Sequence, residues 1–266
     1  MLCVTLLVSL FVWPGERPAR GQELGVKSEV VLVGTVHAPT PNFQEETLVG
    51  ILNRVKPDLI LLELDPSFFD DSFTLSEKYR DVSLESRAAN AYAKTAGVRL
   101  RPFDIEGRNR FYQEHDYFKR ELKLNQEVGR LYAGGQLSPE ARLLFEGLLS
   151  LSAVRDACGA ERAEVINSAA CDTAVEKKQY YAFKGLGRVV ELTPALKEMS
   201  PFWTLADDFW VRRNDAMVTN ILKYTKELRP RRVVVLSGYE HRYYLRKQLA
   251  EQATREGFVL REYRDY

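Results

Sequence analysis

Five short runs rich in apolar and β-branched residues constrain the fold of this chain more than any other feature. Continuous apolar runs of this length are typical of strands that are buried on both faces of a parallel sheet. Parallel strands need crossover connections, and helical periodicity follows the first run over residues 42–55 and the fourth over residues 243–254. The sequence therefore predicts an α/β fold with an open, mostly parallel sheet and flanking helices. The predicted strands cover residues 29–34, 58–64, 98–103, 232–237 and 258–263.

The middle of the chain has a different pattern. Helical spacing of apolar residues with little strand character extends over residues 109–134, 138–159 and 160–184. Ser138, followed by a proline and a glutamate, is a typical helix start. We therefore expect a mostly helical insertion at about residues 106–205, within a single domain of residues 22–266.

The charge balance excludes several classes of protein. The 266 residues include 38 Lys and Arg against 37 Asp and Glu, so the formal net charge is +1, and 45% of the residues are hydrophobic. This composition is that of a soluble globular protein and excludes a disordered, collagen-like or coiled-coil chain. A general nucleic-acid-binding surface is not expected, because it would need an excess of basic residues. The balanced charge is compatible with a small-molecule or peptide partner.

The N-terminal segment has the features of a secretory signal. Residues 2–13 are apolar but too short to span a bilayer, and the small residues Ala19 and Gly21 stand where a signal peptidase would cut. We predict a signal peptide at residues 1–21, export to the periplasm or the medium, and no stable transmembrane segment. No Lys or Arg precedes the apolar run, so a short hydrophobic helix that remains attached is the alternative.

Cys158 and Cys171 are the two cysteines that remain after such cleavage. In an oxidising compartment they could form a disulfide, or they could be two small buried residues. A continuous helix would hold them about 20 Å apart, so pairing requires a turn between them, which Gly159 could supply.

Two of the three histidines follow a predicted strand in the same way. Residues 34–37 and residues 238–241 each begin with a glycine directly after an apolar run and end in a histidine, His37 and His241. Ligands of open parallel sheets bind beyond the carboxyl ends of the strands, so we expect both imidazoles to face one crevice. The alternative is that each caps a helix or fills a loop. The third histidine, His115, is predicted to lie on an exposed helix surface.

Carboxylates follow the second and third predicted strands. Glu63 lies inside an apolar run, where a carboxylate needs a partner: a metal ion, a hydrogen bond, or a structural salt bridge, for which Arg213 is a candidate. Asp65 shares its face of the strand, although an aspartate before proline also starts turns. Asp104 and Glu106 are weaker candidates at the same rim.

A polar pair interrupts the apolar stripe of a predicted helix over residues 207–229. Arg213 could orient a carboxylate or hold an oxyanion, and Asn214 could position a ligand or a water. The alternative is that the pair attaches the helix to the sheet through backbone carbonyls. The apolar members of the stripe are Trp210, Met217, Ile221 and Leu228.

Four segments taken together resemble a known superfamily. The chain is similar to the group that joins the TraB/PrgY and GumN-like proteins, the Tiki membrane proteases, the erythromycin esterases and the ChaN-like haem-binding proteins. The resemblance covers about residues 29–66 and 207–250 and implies a parallel α/β core with a helical insert, in which the four segments converge. The segments are Gly34-Thr35-Val36-His37, Glu63-Leu64-Asp65, Arg213-Asn214-Asp215-Ala216-Met217 and Gly238-Tyr239-Glu240-His241.

The resemblance does not by itself fix the reaction, and a hydrolase is our leading hypothesis, since Tiki-like members are metal-dependent proteases and the esterases use His and Glu to activate water. We expect cleavage of a peptide or ester bond, with Arg213 stabilising the oxyanion and Asn214 in the site. The expected cofactor is a divalent metal (Zn, Mn, Co or Fe); without it, one histidine oriented by Glu63 would be the general base. The predicted metal ligands are His37, Glu63, Asp65 and His241.

Two functions without catalysis are the alternatives. ChaN-like members bind haem, and the chain carries bulky residues after the second histidine where many relatives have small ones. His241 with Tyr243 or Tyr244 could therefore bind haem, iron or another small ligand. A catalytically idle protein that senses or binds a peptide is the other alternative.

Overall fold

A single parallel sheet forms the centre of the protein. The computed structural model describes residues 27–266, and the five strands of the sheet are all parallel, in the order β3-β2-β4-β1-β5. Each predicted strand is confirmed, as is the α/β class with a helical insertion. The predicted signal peptide lies outside the described residues. The strands are β1 (Ser28–Thr35), β2 (Leu59–Leu62), β3 (Arg99–Pro102), β4 (Arg232–Gly238) and β5 (Phe258–Arg261).

Ten α-helices accompany the strands in the described part of the chain. The first two connect β1 to β2 and β2 to β3, and the last connects β4 to β5. The other seven lie between β3 and β4 and form or flank the insertion. The helices are α1 (Glu45–Val55), α2 (Leu84–Ala96), α3 (Arg108–Glu114), α4 (Tyr117–Ala133), α5 (Pro139–Gly159), α6 (Ala163–Ile166), α7 (Ala169–Tyr180), α8 (Leu186–Leu192), α9 (Ser200–Leu228) and α10 (Tyr239–Glu256). A π-helical turn, Tyr181–Gly185, joins α7 to α8.

The sheet is buried on both faces, as the apolar runs predict. Along β1, Val31 and Val33 belong to one buried cluster with α1 and α2, whereas Val30 and Leu32 belong to another with α9 and α10. Successive side chains of a strand point to opposite faces, so an uninterrupted apolar run satisfies both. None of the helices within residues 27–266 is long and apolar enough to cross a membrane.

The helical insertion has a core of its own, and α9 connects that core to the sheet. Phe202 and Trp203, near the start of this 29-residue helix, pack inside the insertion, while Met217 and Ile221 pack against the sheet. At 1.5 Å per residue the helix is about 40 Å long, enough to extend across both parts. Arg213 and Asn214 lie between the two cores.

The prediction of one continuous helix over residues 160–184 is wrong, because the segment forms two α-helices. The chain forms α6, turns at Asn167 and starts α7, where the Ser168 hydroxyl caps the helix by accepting a bond from the Cys171 amide at 3.2 Å. This turn brings Cys158 at the end of α5 to Cys171, and the two form a disulfide with a Cα–Cα distance of 6.0 Å.

The predicted helix over residues 109–134 is also divided. Asp116 adopts a left-handed conformation with φ of 47°, which ends α3 before α4 begins. His115 therefore lies at a helix junction, half-buried, with its ring 4.6 Å from that of Phe111. The sequence predicts an exposed helix surface for His115; the structure places it at the end of α3, where it is partly exposed.

Candidate functional site

The strand order places three of the predicted segments side by side. β4 lies between β1 and β2, so that Thr35 pairs with Gly238 and Leu62 pairs with Leu236. Both Gly-x-x-His segments and the residues after β2 thus leave the sheet at the same edge. The middle of α9 passes over this edge and brings Arg213 and Asn214 to it.

Glu63 is the centre of the resulting cluster. Its side chain is buried; Oε2 accepts bonds from the Gly238 amide at 2.7 Å and the Ser237 hydroxyl at 3.1 Å, and Oε1 lies 2.6 Å from Arg213 Nη2. Burial alone would raise the pKa of Glu63, but His241, Arg213, His37 and the Gly238 amide hold it well below its usual range. Glu63 is therefore ionised at any ordinary pH.

Arg213 bridges two buried carboxylates. Its Nε donates to Asp104 Oδ1 at 2.8 Å and its Nη2 to Asp104 Oδ2 at 2.9 Å, in addition to Glu63. The predicted salt bridge between Glu63 and Arg213 is thus present, and Asp104 belongs to the cluster, whereas Glu106 is exposed outside it. The third nitrogen, Nη1, contacts neither carboxylate and lies 3.5 Å from the Tyr112 hydroxyl. Because Nε and Nη2 are both bonded to carboxylates, the guanidinium mainly holds the cluster together.

His241 lies in the first turn of α10 and is 4% exposed. Its Nδ1 is 2.8 Å from Asn214 Oδ1, and the Asn214 amide donates to the Trp210 carbonyl at 2.7 Å. This network assigns the ring proton to Nδ1 and the lone pair to Nε2, which lies 3.6 Å from Glu63 Oε1. The ring is stacked on Trp210 and buried. Burial lowers the pKa of His241 to about 4, so the ring is neutral at pH 7.

His37 has the opposite environment. Its side chain is 61% exposed, and its Nδ1 lies 3.0 Å from Oε1 of Glu85, a buried residue in the first turn of α2. The same oxygen accepts a hydrogen bond from the Thr35 hydroxyl. The bond to Glu85 raises the pKa of His37 to about 9. One site therefore holds one histidine that favours the protonated form and one that favours the neutral form.

A pocket of about 340 Å³ opens beside His37. Its polar wall is formed by His37, Glu63, Glu85 and Arg108, and its apolar wall includes the stacked rings of Phe68 and Tyr79. Its size is within the range of roughly 300–1,000 Å³ that is common for small-molecule sites. A ligand in this pocket would contact the His37 imidazole, whose Nδ1 is bonded to Glu85 and whose Nε2 lies close to Gly238.

Two residues that sequence reasoning missed support the site. Besides Glu85, Asn167 is 1% exposed and exchanges two hydrogen bonds with the backbone of Gly34, at 2.6 and 3.0 Å. It thereby attaches the helical insertion to the end of β1. Neither residue carries a sequence signal, because a glutamate in the first turn of a helix and an asparagine in a turn are common.

Three predicted site residues lie apart from the cluster. Asp65 is buried, but its carboxylate accepts bonds from the amides of Ser67 at 3.0 Å and Asn109 at 3.4 Å, in keeping with the turn-starting alternative. The Tyr244 hydroxyl is hydrogen-bonded to Asp215, and Tyr243 packs against the disulfide. Neither phenol is placed at His241 Nε2, which faces Glu63.

The predicted metal ligands do not fit a metal ion in this arrangement. Both oxygens of Glu63 already accept hydrogen bonds, and the guanidinium of Arg213 supplies the positive charge beside it. His37 turns Nδ1 to Glu85, and Asp65 is bonded elsewhere. Within residues 27–266, no three His, Cys, Asp or Glu side chains are grouped so that they could hold a metal ion.

Gly238 has no room for a side chain. A Cβ at this position would lie 2.9 Å from His37 Nε2 and 3.4 Å from Glu63 Oε2. Because the His37 side chain is largely exposed, we expect Gly238→Ala to push it away from Glu85 without unfolding the protein. The midpoint of the His37 titration, measured by NMR, should then fall from about 9 towards 6.5.

The matched control is Gly50→Ala in α1, where an added Cβ meets nothing within 4 Å. That variant should leave the His37 titration unchanged. An unchanged midpoint in Gly238→Ala as well would contradict the close approach of His37 to Gly238.

Comparison with known proteins identifies no relative. The chain matches no protein-family model, no curated protein and no solved structure. The resemblance to the TraB/PrgY, Tiki and esterase superfamily therefore stays a prediction that is based on the four segments.

Proposed function

We propose that the protein is a hydrolase of peptide or ester bonds in which His37 transfers the proton. The observation that carries this proposal is the Glu85–His37 pair at the pocket, with Nδ1 of the imidazole bonded to a buried carboxylate at 3.0 Å. An imidazole whose one nitrogen is held by a carboxylate presents the other nitrogen in a defined direction, as general bases require.

His37 is better suited than His241 to meet a substrate. His37 lines the pocket, whereas His241 is buried, with Nδ1 bonded to Asn214 and Nε2 facing Glu63. A lowered pKa also makes His241 a weak base. In the proposed mechanism Arg213 positions Glu63 through its hydrogen bond, and neither Arg213 nor His241 contacts the substrate.

The chemistry requires His37 to be neutral at the start of each turnover. Nε2 accepts a proton from water while the water oxygen attacks the carbonyl carbon, and Glu85 stabilises the imidazolium that forms. The imidazolium then returns the proton to the leaving group as the carbonyl–leaving-group bond breaks. Arg108, which lines the same pocket and pairs with Asp104 at 2.6 Å, supplies positive charge for the oxyanion.

The pH dependence of hydrolysis tests this proposal. Because the base must be deprotonated and its pKa is about 9, kcat/KM should rise by about tenfold per pH unit below that value and level off above it. Glu85→Gln removes the anion that raises the pKa of His37, so the rising limb should move towards pH 6.5. A change that was only structural would lower the rate without moving the profile.

The assay would use p-nitrophenyl esters and a library of fluorogenic peptides, with and without EDTA. If kcat/KM of the Glu85→Gln variant depended on pH in the same way as that of the wild type, the role of His37 as the base would be contradicted. Loss of activity in EDTA, restored by Zn, Mn, Co or Fe, would contradict the metal-free form of the proposal. The absence of any His37-dependent hydrolysis across the panel would count against the proposed function.

A further inference from the structure

The pocket beside His37 has an apolar wall that the proposed proton transfer does not use. This wall comes from one stretch of chain, between the end of β2 and the start of α2. Its apolar side chains are those of Leu62, Leu64, Phe68, Tyr79 and Val82. The chemistry needs only the polar wall opposite, so the apolar wall requires a separate explanation.

Part of the apolar wall keeps its surface open. Leu62 and Leu64 belong to the buried cluster that includes α1 and α2. Phe68 and Tyr79 pack against this cluster but are only half-buried, and Val82 is 52% exposed. Removing apolar surface from water is favourable, so these three side chains would gain contact with an apolar group in the pocket.

The chain holds the open part of the wall in place. The Phe68 carbonyl accepts a bond from the Ser76 amide at 2.9 Å, and Leu75 beside it is 3% exposed in the core. The end of the segment is attached to the site itself, since the Leu84 amide donates to the His37 carbonyl at 3.2 Å. The wall therefore has a fixed position relative to His37, and a ligand need not order it on binding.

The charges around the pocket are already paired. Three cations and three carboxylates line the pocket or contact the residues that do. The pairs are His37–Glu85, Arg213–Glu63 and Arg108–Asp104, with N–O distances of 3.0, 2.6 and 2.6 Å. When His37 is neutral, the excess charge is that of Glu85, a 4% exposed residue whose Oε1 is bonded to His37 and Thr35 and whose Oε2 is fully buried. A charged substrate group would thus lose its hydration here without gaining a partner.

We infer that the apolar wall is the specificity site of the pocket, and that it binds an uncharged apolar group, aliphatic or aromatic, next to the carbonyl that is attacked. The inference rests on the proposed function, in which this pocket brings the substrate to His37. Val82 is the specificity residue whose side chain is most open to the ligand among those of the wall.

Methyl ketones test the inference, because they carry a carbonyl and have no leaving group. The full chain would be titrated with benzylacetone, acetone, the anion levulinate and the cation dimethylaminobutanone, while NMR follows the histidine rings. Benzylacetone should shift the His37 resonances and bind at least about tenfold more tightly than the other three, since only its phenyl group is apolar. The resonances of His115, which does not line the pocket, should stay in place.

Replacing Val82 with aspartate separates specificity from folding. Val82→Asp should weaken benzylacetone binding by about tenfold and strengthen binding of the cationic ketone, a gain that a damaged fold could not produce. The matched control is Val154→Asp on α5, where the valine is 50% exposed and lies outside the pocket. That variant should bind all four ketones as the wild type does.

Two results would overturn the inference: equal affinities for benzylacetone and acetone, or wild-type binding of every ketone by Val82→Asp. The ketones are not turned over, so this outcome is separate from that of the hydrolysis assay. Tight binding of benzylacetone in a chain without hydrolysis would contradict the proposed reaction and support the apolar site. Hydrolysis without preference for benzylacetone would contradict the apolar site alone.

Discussion

Replacing His37 with alanine is expected to lower kcat/KM for hydrolysis by about 10²–10⁴-fold, the usual contribution of a general acid–base group. The substitution removes the imidazole that lines the pocket and whose Nδ1 is held by Glu85. The side chain is 61% exposed and belongs to no hydrophobic core cluster, so the free energy of unfolding should change little.

The histidine at position 115 supplies the matched control for this variant. It lies at the α3–α4 junction, packed against Phe111, and does not line the pocket beside His37. His115→Ala should retain wild-type kcat/KM. If His37→Ala kept more than half of the wild-type activity while both variants showed native far-UV circular dichroism, His37 would not be the base.

Replacing Arg213 with methionine is expected to lower the free energy of unfolding by about 3–5 kcal/mol, the cost of breaking a buried ion pair from one side. Arg213 is 8% exposed, and its loss would leave the carboxylates of Glu63 and Asp104 without their shared cation. Urea unfolding followed by circular dichroism would measure the difference between the variant and the wild type.

The sign of the pH effect is part of the same prediction. In the wild type the pKa of Glu63 is well below 4.5, so the ionised cluster stabilises the fold above that pH, and the contribution is lost as the pH falls towards the native pKa. The difference in stability between the variant and the wild type should therefore be larger at pH 7 than at the most acidic pH at which both fold. Adding Glu63→Gln to Arg213→Met should restore part of the loss, since it removes one of the two unpaired charges.

The neighbouring arginine is the control for Arg213. Arg212 pairs with Asp208 at 2.7 Å, but both side chains are more than half exposed, so Arg212→Met should cost less than about 1 kcal/mol. Similar losses in the two variants would show that the buried cluster does not hold the site together.

Local sequence patterns predicted the secondary structure because burial on both faces of a sheet leaves a continuous apolar run, and all five runs are strands. The patterns failed where a short polar turn decided the outcome. The chain separates α3 from α4 at Asp116 and α6 from α7 at Asn167, although helical spacing of apolar residues continues through both points. Helical periodicity records which face is buried, and it does not record where a turn interrupts that face.

The residues of the candidate site were partly predictable for the same reason. His37, Glu63 and His241 follow strands, and a polar residue directly after an apolar run lies at the sheet edge whatever the strand order. Glu85, in contrast, is an ordinary first-turn glutamate until α2 brings it 3.0 Å from His37. Its role depends on a contact between residues 48 positions apart, which no local pattern encodes.

The sequence by itself determined the strands, the glycine-to-histidine spacing at two of their ends, and the polar pair on α9, because each follows from which neighbouring residues must be buried. Only the tertiary structure decided that β4, which follows a long helical insertion, lies between β1 and β2. That order places Gly238 beside both His37 and Glu63. Strand pairing depends on the packing of the whole chain, so it alone assembled the cluster from residues that are far apart in sequence.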